Sequence, residues 1–355
     1  MRTRSTVLRG LLGISYRFGG PFIWDIVRGG RVKILIYHSI PNQRRFEGIA
    51  NHYGYSIPAQ DFEQQLIYLS RHCNVIRVRD LLTDNSALSS TKTNVIITFD
   101  DGYENHYLNA YKLLERYTLP ATFALPTAFV CNNEPLWDDI IEYAVVHCTK
   151  SRVRLQWEDE DREFVLADFS GRLELYNWLM RKTVQVDQMR RDELIGLALE
   201  ELGASAEPEN LFEDENYRPL NKNQIRKMAK SNLVEFASHS VHHYFLSRCG
   251  IEEKRMELRE SKSQIEELTE LPCTLFCVPG GAYDSEALEE AFSAGYECVL
   301  TSDSGTASHG NRVLNRNGIY NHYDIHKFAD IVHGPVLEML EVTRRARGAV
   351  RALFN

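Results

Sequence analysis

The chain has 355 residues, of which 43% are hydrophobic and 25% charged, with a formal net charge of −8. These values describe a globular protein large enough for one big domain or two modest ones. The acidic balance excludes a broad nucleic-acid surface, and no run of ~18 uncharged apolar residues is present to cross a membrane as a helix.

In chain order, residues 1–30 are expected to form a basic helical segment. Arg2, Arg4, Arg9, Arg17 and Arg28 face only Asp25, with Phe18, Phe22, Ile23 and Trp24 among them. Such a segment suits an anionic membrane surface or a helix packed on the domain with its arginines solvated. Leu11–Ile14 is short, arginine-flanked and followed by no small-residue cleavage site, so a cleaved signal peptide is not expected. The seven cysteines are scattered, with no Cys-x-x-Cys pair, which points to reduced thiols.

From residue 31 the pattern changes to short apolar runs that end in polar or glycine residues. Val32–Tyr37 leads to His38, Asn94–Phe99 to Asp100, and Ala121–Leu125 to Pro126. Later come Val234–Ser238 before His239, Thr274–Val278 before Pro279, Glu297–Thr301 before Ser302, and Arg312–Asn315 before Arg316. Runs of this length suit strands buried on both faces. Helical spacing lies between them over Asp61–Arg71, Asn105–Tyr117, Glu252–Leu271 and Ser285–Ala294. The alternation predicts parallel β/α units with right-handed crossovers, and places polar residues where a β/α barrel gathers its chemistry.

The alternation breaks over about residues 131–220, an acidic stretch with Trp137, Trp157 and Trp178. We expect an inserted, mainly helical subdomain there, with a hairpin near Val153–Leu166 and a return loop through Pro208 and Pro219. Residues 336–355 are expected to form a helix ending in Arg344, Arg345, Arg347 and Arg351. The organisation is therefore a main domain over residues 31–335, interrupted by the insertion and flanked by basic termini.

Two motifs carry the chemistry. Asp100 and Asp101 end one predicted strand, and His239 and His243 follow another. Hydrolytic divalent metals commonly take His and carboxylate ligands and leave a position open for water. If a helix begins near His239, it and His243 share a face; His242 is an alternative second ligand. One aspartate binds metal and its neighbour accepts a proton from water. Either motif alone has a plain structural reading, as a turn or a surface pair; both at strand ends of a β/α pattern point to a site.

With these residues in view, the chain resembles the polysaccharide deacetylase family, the NodB-homology or carbohydrate esterase family 4 domain. Its first motif, T-F-D-D-G, stands as Thr98–Gly102, and its second, H-[ST]-x-x-H, as His239–His243. "ILIYHSI" from Ile34 and "PATFALPT" from Pro120 also resemble family strands, so that the resemblance covers about residues 31–130 and 220–335. It implies an α/β fold, a distorted (β/α)7 barrel of NodB type with the helical subdomain inserted. It implies Asp101, His239 and His243 as ligands of a divalent metal, zinc foremost, and Asp100 as general base. Gly280, standing where the family often has Tyr, is implied as an oxyanion donor through its N–H.

Some residues depart from the family pattern. Cys277 stands where many members have the arginine that orients the base, and Arg316 is the candidate to supply that cation. The histidine acid of the fifth motif has three candidates, His309, His322 and His326. Asp303 falls near the fourth motif without its Trp partner. His38 is a candidate to line the site.

The resemblance implies a metal-dependent hydrolase of the acetamide of N-acetylated amino sugars, in synthesis of a bacterial surface exopolysaccharide. Its expected substrate is a polymer, an oligosaccharide or a lipid-linked precursor. We expect a cytoplasmic protein, peripheral at the inner membrane through its basic termini. The competing expectations are a sugar deformylase or O-deacetylase, and a carbohydrate-binding pseudoenzyme without turnover.

Overall fold

The computed structural model describes residues 32–42, 49–83, 85–205 and 207–333. The expected basic segments 1–30 and 336–355 lie outside the described residues. Among those described, no helix is long and apolar enough to cross a membrane.

The frame is a parallel sheet. Its strands are β1 (Val32–Tyr37), β2 (Asn74–Val75), β3 (Asn94–Phe99) and β4 (Ala121–Leu125), then β7 (Val234–Ser238), β8 (Leu275–Cys277) and β9 (Cys298–Leu300). The last two are β10 (Val313–Leu314) and β11 (Asn317–Gly318). The order is β10-β9-β8-β7-β4-β3-β1-β11, with β2 beside the start of β3. Here β10 and β11 are two halves of one segment, residues 313–318. Its first half pairs with β9 at one edge of the sheet and its second half with β1 at the other. One segment thus serves both edges, and the sheet curls into a distorted barrel whose seventh stave is this split strand. The sequence predicts Arg312–Asn315 as a single strand. Asn317–Gly318, with no apolar side chain, carries no strand signature, although its backbone completes the barrel.

Alternation along the strands sends side chains into two cores. Ile34, Ile96, Ala124, Ala237, Cys277 and Leu300 fill the barrel. Leu35, Tyr37, Ile97, Phe99, Phe123 and Phe236 pack outward against the helices. Both faces of the strands are therefore buried. The same parity places Thr98 on the interior face with Ile96, and Asp100 above it at the C-terminal mouth. The surrounding helices include α1 (Ala59–His72), α2 (Lys112–Tyr117) and α3 (Thr127–Asn132).

The insertion contains α4 (Trp137–His147), the antiparallel hairpin β5 (Arg152–Trp157) and β6 (Glu160–Val165), α5 (Phe169–Thr183) and α6 (Gln188–Leu202). Its own core holds Trp137, Ile141, Leu155, Trp157, Phe164 and Trp178. The chain returns onto the turn after β3. Tyr103 bridges to Pro219, Glu104 N–H bonds Arg218 O at 2.7 Å, and Leu220 N–H bonds Gly102 O at 2.8 Å. After α7 (Lys222–Ala229) the barrel resumes, backed by α8 (Ile251–Thr269), α9 (Ser285–Ser293) and α10 (Ile325–His333).

The expected helix Asn105–Tyr117 begins as a π-helix over His106–Tyr111 before α2 takes over. π-turns recur at functional sites because they re-aim a side chain. His106 is fully buried, and its Nε2–H donates to the carbonyl of His38. Asn105 accepts from Ile40 N–H and donates to Ser39 Oγ, both at 2.9 Å. The π-turn therefore fixes the loop after β1. Burial pushes His106 down to about 4 from 6.5, against the opposing pull of the backbone bond and Asp101. Because the folded value is depressed, this contribution is complete above pH ~6.5 and is lost as pH falls towards ~4. We predict that the wild type loses roughly 3 kcal/mol through this one group across that window. With chelator present, denaturant titrations of wild type and His106→Gln should diverge by that slope; parallel pH profiles would contradict it.

Candidate active site

The site lies at the C-terminal mouth of the barrel. Thr98 ties β3 to β1 through its hydroxyl, which donates to Leu35 O at 2.8 Å. Asp101 then takes the left-handed conformation, with φ of 74°. This turns its carboxylate away from that of Asp100, so the two acids face different partners. Gly102 continues the turn at φ 73°, where an added Cβ would meet Val130 Cγ1 at 3.0 Å and Leu125 Cδ2 at 3.1 Å. Glycine is required there by both backbone and packing.

Asp100 is buried beside Arg316, whose residual exposure is 0%. Arg316 Nη1 donates to Asp100 Oδ1 at 2.7 Å and Nη2 to Oδ2 at 2.8 Å, a bidentate pair. Nε donates to Thr301 O at 2.9 Å, and Nη1 also reaches Thr98 Oγ1 at 3.2 Å and Cys277 Sγ at 3.5 Å. Burial alone would raise the Asp100 carboxyl; the Arg316 guanidinium and His239 outweigh it and hold the group below its ordinary value. Cys277 thus lies against the guanidinium that comes from the split strand. The small thiol at that position leaves the barrel interior free for Arg316.

His239 and His243 do not stand on a helix, as the i, i+4 spacing suggests. They occupy an irregular loop after β7, in which Ser240 and His243 take left-handed φ of 64° and 59°. That curl brings the two rings to 4.9 Å between centroids. Three non-glycine residues of one site in the left-handed region is stored strain of the kind that surrounding packing must hold. Glu257 of α8 supplies part of that hold, accepting from Val241 N–H at 2.8 Å and His242 N–H at 2.9 Å. The other Glu257 oxygen takes the His242 ring, so His242 faces α8 and is not the second ligand. That hydrogen bond raises the His242 pKa despite its partial burial.

The Nε2 atoms of His239 and His243 each lie 3.5 Å from Asp101 Oδ1. Asp101, His239 and His243 are buried and offer one ligand atom each within 4.8 Å of one another. A tetrahedral zinc with ligands at roughly 2.0–2.1 Å sets them about 3.3 Å apart, so this donor set fits such an ion. The outer nitrogen of His239 is also arranged for it. His239 Nδ1–H donates to Cys277 O at 2.8 Å, which fixes the tautomer and points Nε2 inward. Asp138 Oδ1, from the insertion, lies 3.7 Å from His243 Nδ1. Trp137 Nε1–H holds the His243 carbonyl at 2.9 Å. Burial works against Asp101 ionisation, yet the hydrogen bond with His239 and the neighbouring histidines leave its pKa far below the usual carboxylate range.

These groups open on a cavity of about 380 Å³. His38 and Gly280 line it together with the triad and Asp100. Gly280 has φ of 55°, and an added Cβ would lie 2.1 Å from the Phe245 ring, which occupies the space of any larger residue. Among the described histidines, only His38, His239 and His243 line the cavity. His309 is exposed and bonds Leu81 O at 2.6 Å, near the opposite end of the barrel. His322 and His326 are exposed outside the cavity lining, His322 stacked on Tyr320. Asp303 is likewise exposed, accepting from Tyr283 OH at 2.7 Å. His38 follows β1 as Asp100 follows β3 and His239 follows β7. Applied evenly, the strand-end rule that picks out the others also picks out this one.

A β/α barrel thus carries at its mouth an Asp-His-His cluster that could hold a metal ion, beside an arginine-paired aspartate. The family described as Polysaccharide deacetylase matches residues 88–172 and 203–299, and the chain belongs to it. The family's members are hydrolases of amide bonds in acetylated polysaccharides. The Bacillus subtilis (strain 168) protein named "Putative polysaccharide deacetylase YxkH" is 27% identical over 284 residues, 78% of this chain and 67% of that protein. Among solved structures, the Streptococcus pyogenes deacetylase PplD with acetate is 17% identical with a TM-score of 0.53, over 85% of this chain and 98% of that one. The de-N-acetylase of Aggregatibacter actinomycetemcomitans is 15% identical with a TM-score of 0.54, over 85% and 99%. At such identities these two structures speak for the barrel alone.

Two predictions follow from the geometry. Arg316→Met should destabilise the fold by about 3–5 kcal/mol, because Asp100 is left buried and unpaired. Asp100→Asn/Arg316→Met should recover part of that loss in thermal unfolding; a further loss would contradict the pairing account. Asp138→Ala should weaken zinc binding by about 10–100-fold, as removal of a histidine's outer partner typically does. Calorimetric titration of the apo protein measures it, and unchanged affinity would count against the role of Asp138.

Proposed function

We propose that the chain is a divalent-metal-dependent deacetylase, with zinc the best-fitting ion, that removes the acetyl group from N-acetylated amino sugars. The observation that carries this reading is the convergence of two sets of residues on one cavity. One is the buried Asp101, His239 and His243 cluster; the other is the buried Asp100–Arg316 pair. Asp101 Oδ, His239 Nε2 and His243 Nε2 would hold the ion. When bound, it supplies a Lewis acid that activates water and polarises the acetamide carbonyl.

The remaining roles belong to the chain's own side chains. Asp100, kept ionised by Arg316, takes the proton of the attacking water as general base. Its bidentate partner fixes the carboxylate plane, and the lone pairs that the guanidinium does not engage take that proton. The Gly280 N–H stabilises the oxyanion that develops on the carbonyl. His38 protonates the leaving sugar nitrogen, as the one cavity histidine outside the metal cluster.

The proposed setting is synthesis of a bacterial surface exopolysaccharide. The proposed substrate is an oligosaccharide, polymer or lipid-linked precursor, handled in the cytoplasm beside the inner membrane. The basic stretches 1–30 and 336–355 support that placement by charge alone.

Acetate release from N-acetylglucosamine oligomers tests the reading. The zinc-loaded wild type should release acetate and chelated protein should not. Asp100→Asn and His38→Ala should each lower kcat/KM by about 10²–10⁴-fold. Equal release by the zinc-loaded, chelated and Asp100→Asn proteins would contradict it. Product mass distinguishes loss of acetyl from nitrogen, from oxygen, and loss of formyl.

A further inference from the structure

The insertion does more than flank the site. The family match stops at residue 172 and resumes at residue 203, so that most of α5 and all of α6 lie outside it. Yet Tyr176, Asn177 and Met180 of α5 line the cavity, and so do Trp137, Asp138 and Glu142 of α4. Opposite them, Tyr53, Tyr55 and Ser56 come from the segment that follows β1.

The two sides meet. The Tyr53 hydroxyl donates to Asn177 Oδ1, and the Tyr53 ring lies 6.2 Å from that of Tyr176. His52 packs on Phe169 at 5.6 Å between centroids, and Ile49 is buried inside the insertion's own core. A polymer threading past the metal cluster needs an open groove on both sides of the scissile residue. Here one side is closed by side chains that cross from Tyr53 to α5. The cavity, about 380 Å³, lies near the lower end of the roughly 300–1,000 Å³ found for small-ligand pockets. That is room for a sugar ring or two beside the side that Tyr53 and α5 close.

The wall's chemistry agrees with a sugar end. Tyrosine rings offer stacking faces and hydroxyls, and Asn177 and Asn216 offer amides, the mixture that a pyranose with equatorial hydroxyls uses. Asp138 stands on the same wall with Asp139 and Glu142, both buried. Burial first and its acidic neighbours second raise the Asp139 carboxyl well above the usual range.

Resting on the deacetylase reading, we propose that the wall formed by α5 and Tyr53 restricts the enzyme to the terminal N-acetylated residue of a glycan. The interior units of a polymer are excluded. The test maps deacetylation along a β-linked N-acetylglucosamine hexamer by tandem mass spectrometry, using the full-length zinc-loaded protein. The free amine should appear at one terminal residue at a rate about tenfold or more above any interior residue, the scale that a pocket wall commands. Tyr53→Phe, which removes only the bridging hydroxyl, and Tyr53→Ala, which opens the wall, should relax that preference progressively.

Interior and terminal residues deacetylated at similar rates by the wild type would overturn the wall while leaving the deacetylase reading intact. Unchanged selectivity in Tyr53→Ala would equally overturn the wall's role. No acetate from any oligomer would overturn the deacetylase reading itself.

Discussion

The buried pair between Asp100 and Arg316 is the interaction on which the rest of the structure depends. Arg316 lies between β10 and β11, in the segment that serves both edges of the sheet. Its guanidinium crosses the barrel interior to the acid at the end of β3. Closing the barrel and fixing the proposed base are thus one event. Burying such a pair brings little net stability, since desolvation consumes most of the attraction, whereas losing either member leaves a stranded charge. The arrangement is better read as a device for position than as a source of stability. It keeps a carboxylate ionised and oriented at the cavity, where the proposed base must stand.

The metal side of the site depends on a different constraint. Three non-glycine residues, Asp101, Ser240 and His243, hold left-handed backbone, and the elements around them are arranged to keep them there. Glu257 pins the loop from α8, Cys277 O fixes His239 from β8, and Trp137 and Asp138 reach His243 from the insertion. The insertion is therefore wired into the ligand loop as well as into the cavity wall. The return segment through Pro219 and Leu220 braces the Asp100–Gly102 turn from the other side.

The barrel was legible because its strands are apolar on both faces, so their runs stand out without any alternation to interpret. The ligand motif was legible as a set of residues and misread as a shape. A spacing of four suggests a helix, and nothing in Ser240 or His243 announces a positive φ. The second half of the split strand has no apolar side chain to mark it, since Asn317 spends its amide on Gly305 and Ile34 and Gly318 has no side chain. Arg316 illustrates a harder limit. The resemblance nominated it as the cation beside the base, but its setting between two asparagines fits a solvated arginine equally well, and the two-edged pairing around it is what carries its side chain inward to Asp100. The search for an acid near the end of the chain gave His309, His322 and His326, all of which the fold leaves outside the cavity. His38 occupies the equivalent strand-end position on β1. The cavity wall had no signature, because Tyr176 and Asn177 meet Tyr53 across more than 120 residues.

The account stands or falls on where an ion sits. Crystals grown with zinc and acetate, measured at the zinc edge, test this most directly. The predicted result is one anomalous peak within about 2.0–2.2 Å of Asp101 Oδ, His239 Nε2 and His243 Nε2. Acetate should lie between that peak and the Gly280 N–H, with Asp100 still paired to Arg316. A peak that excludes any of the three ligands, or acetate bound away from Gly280, would contradict the account.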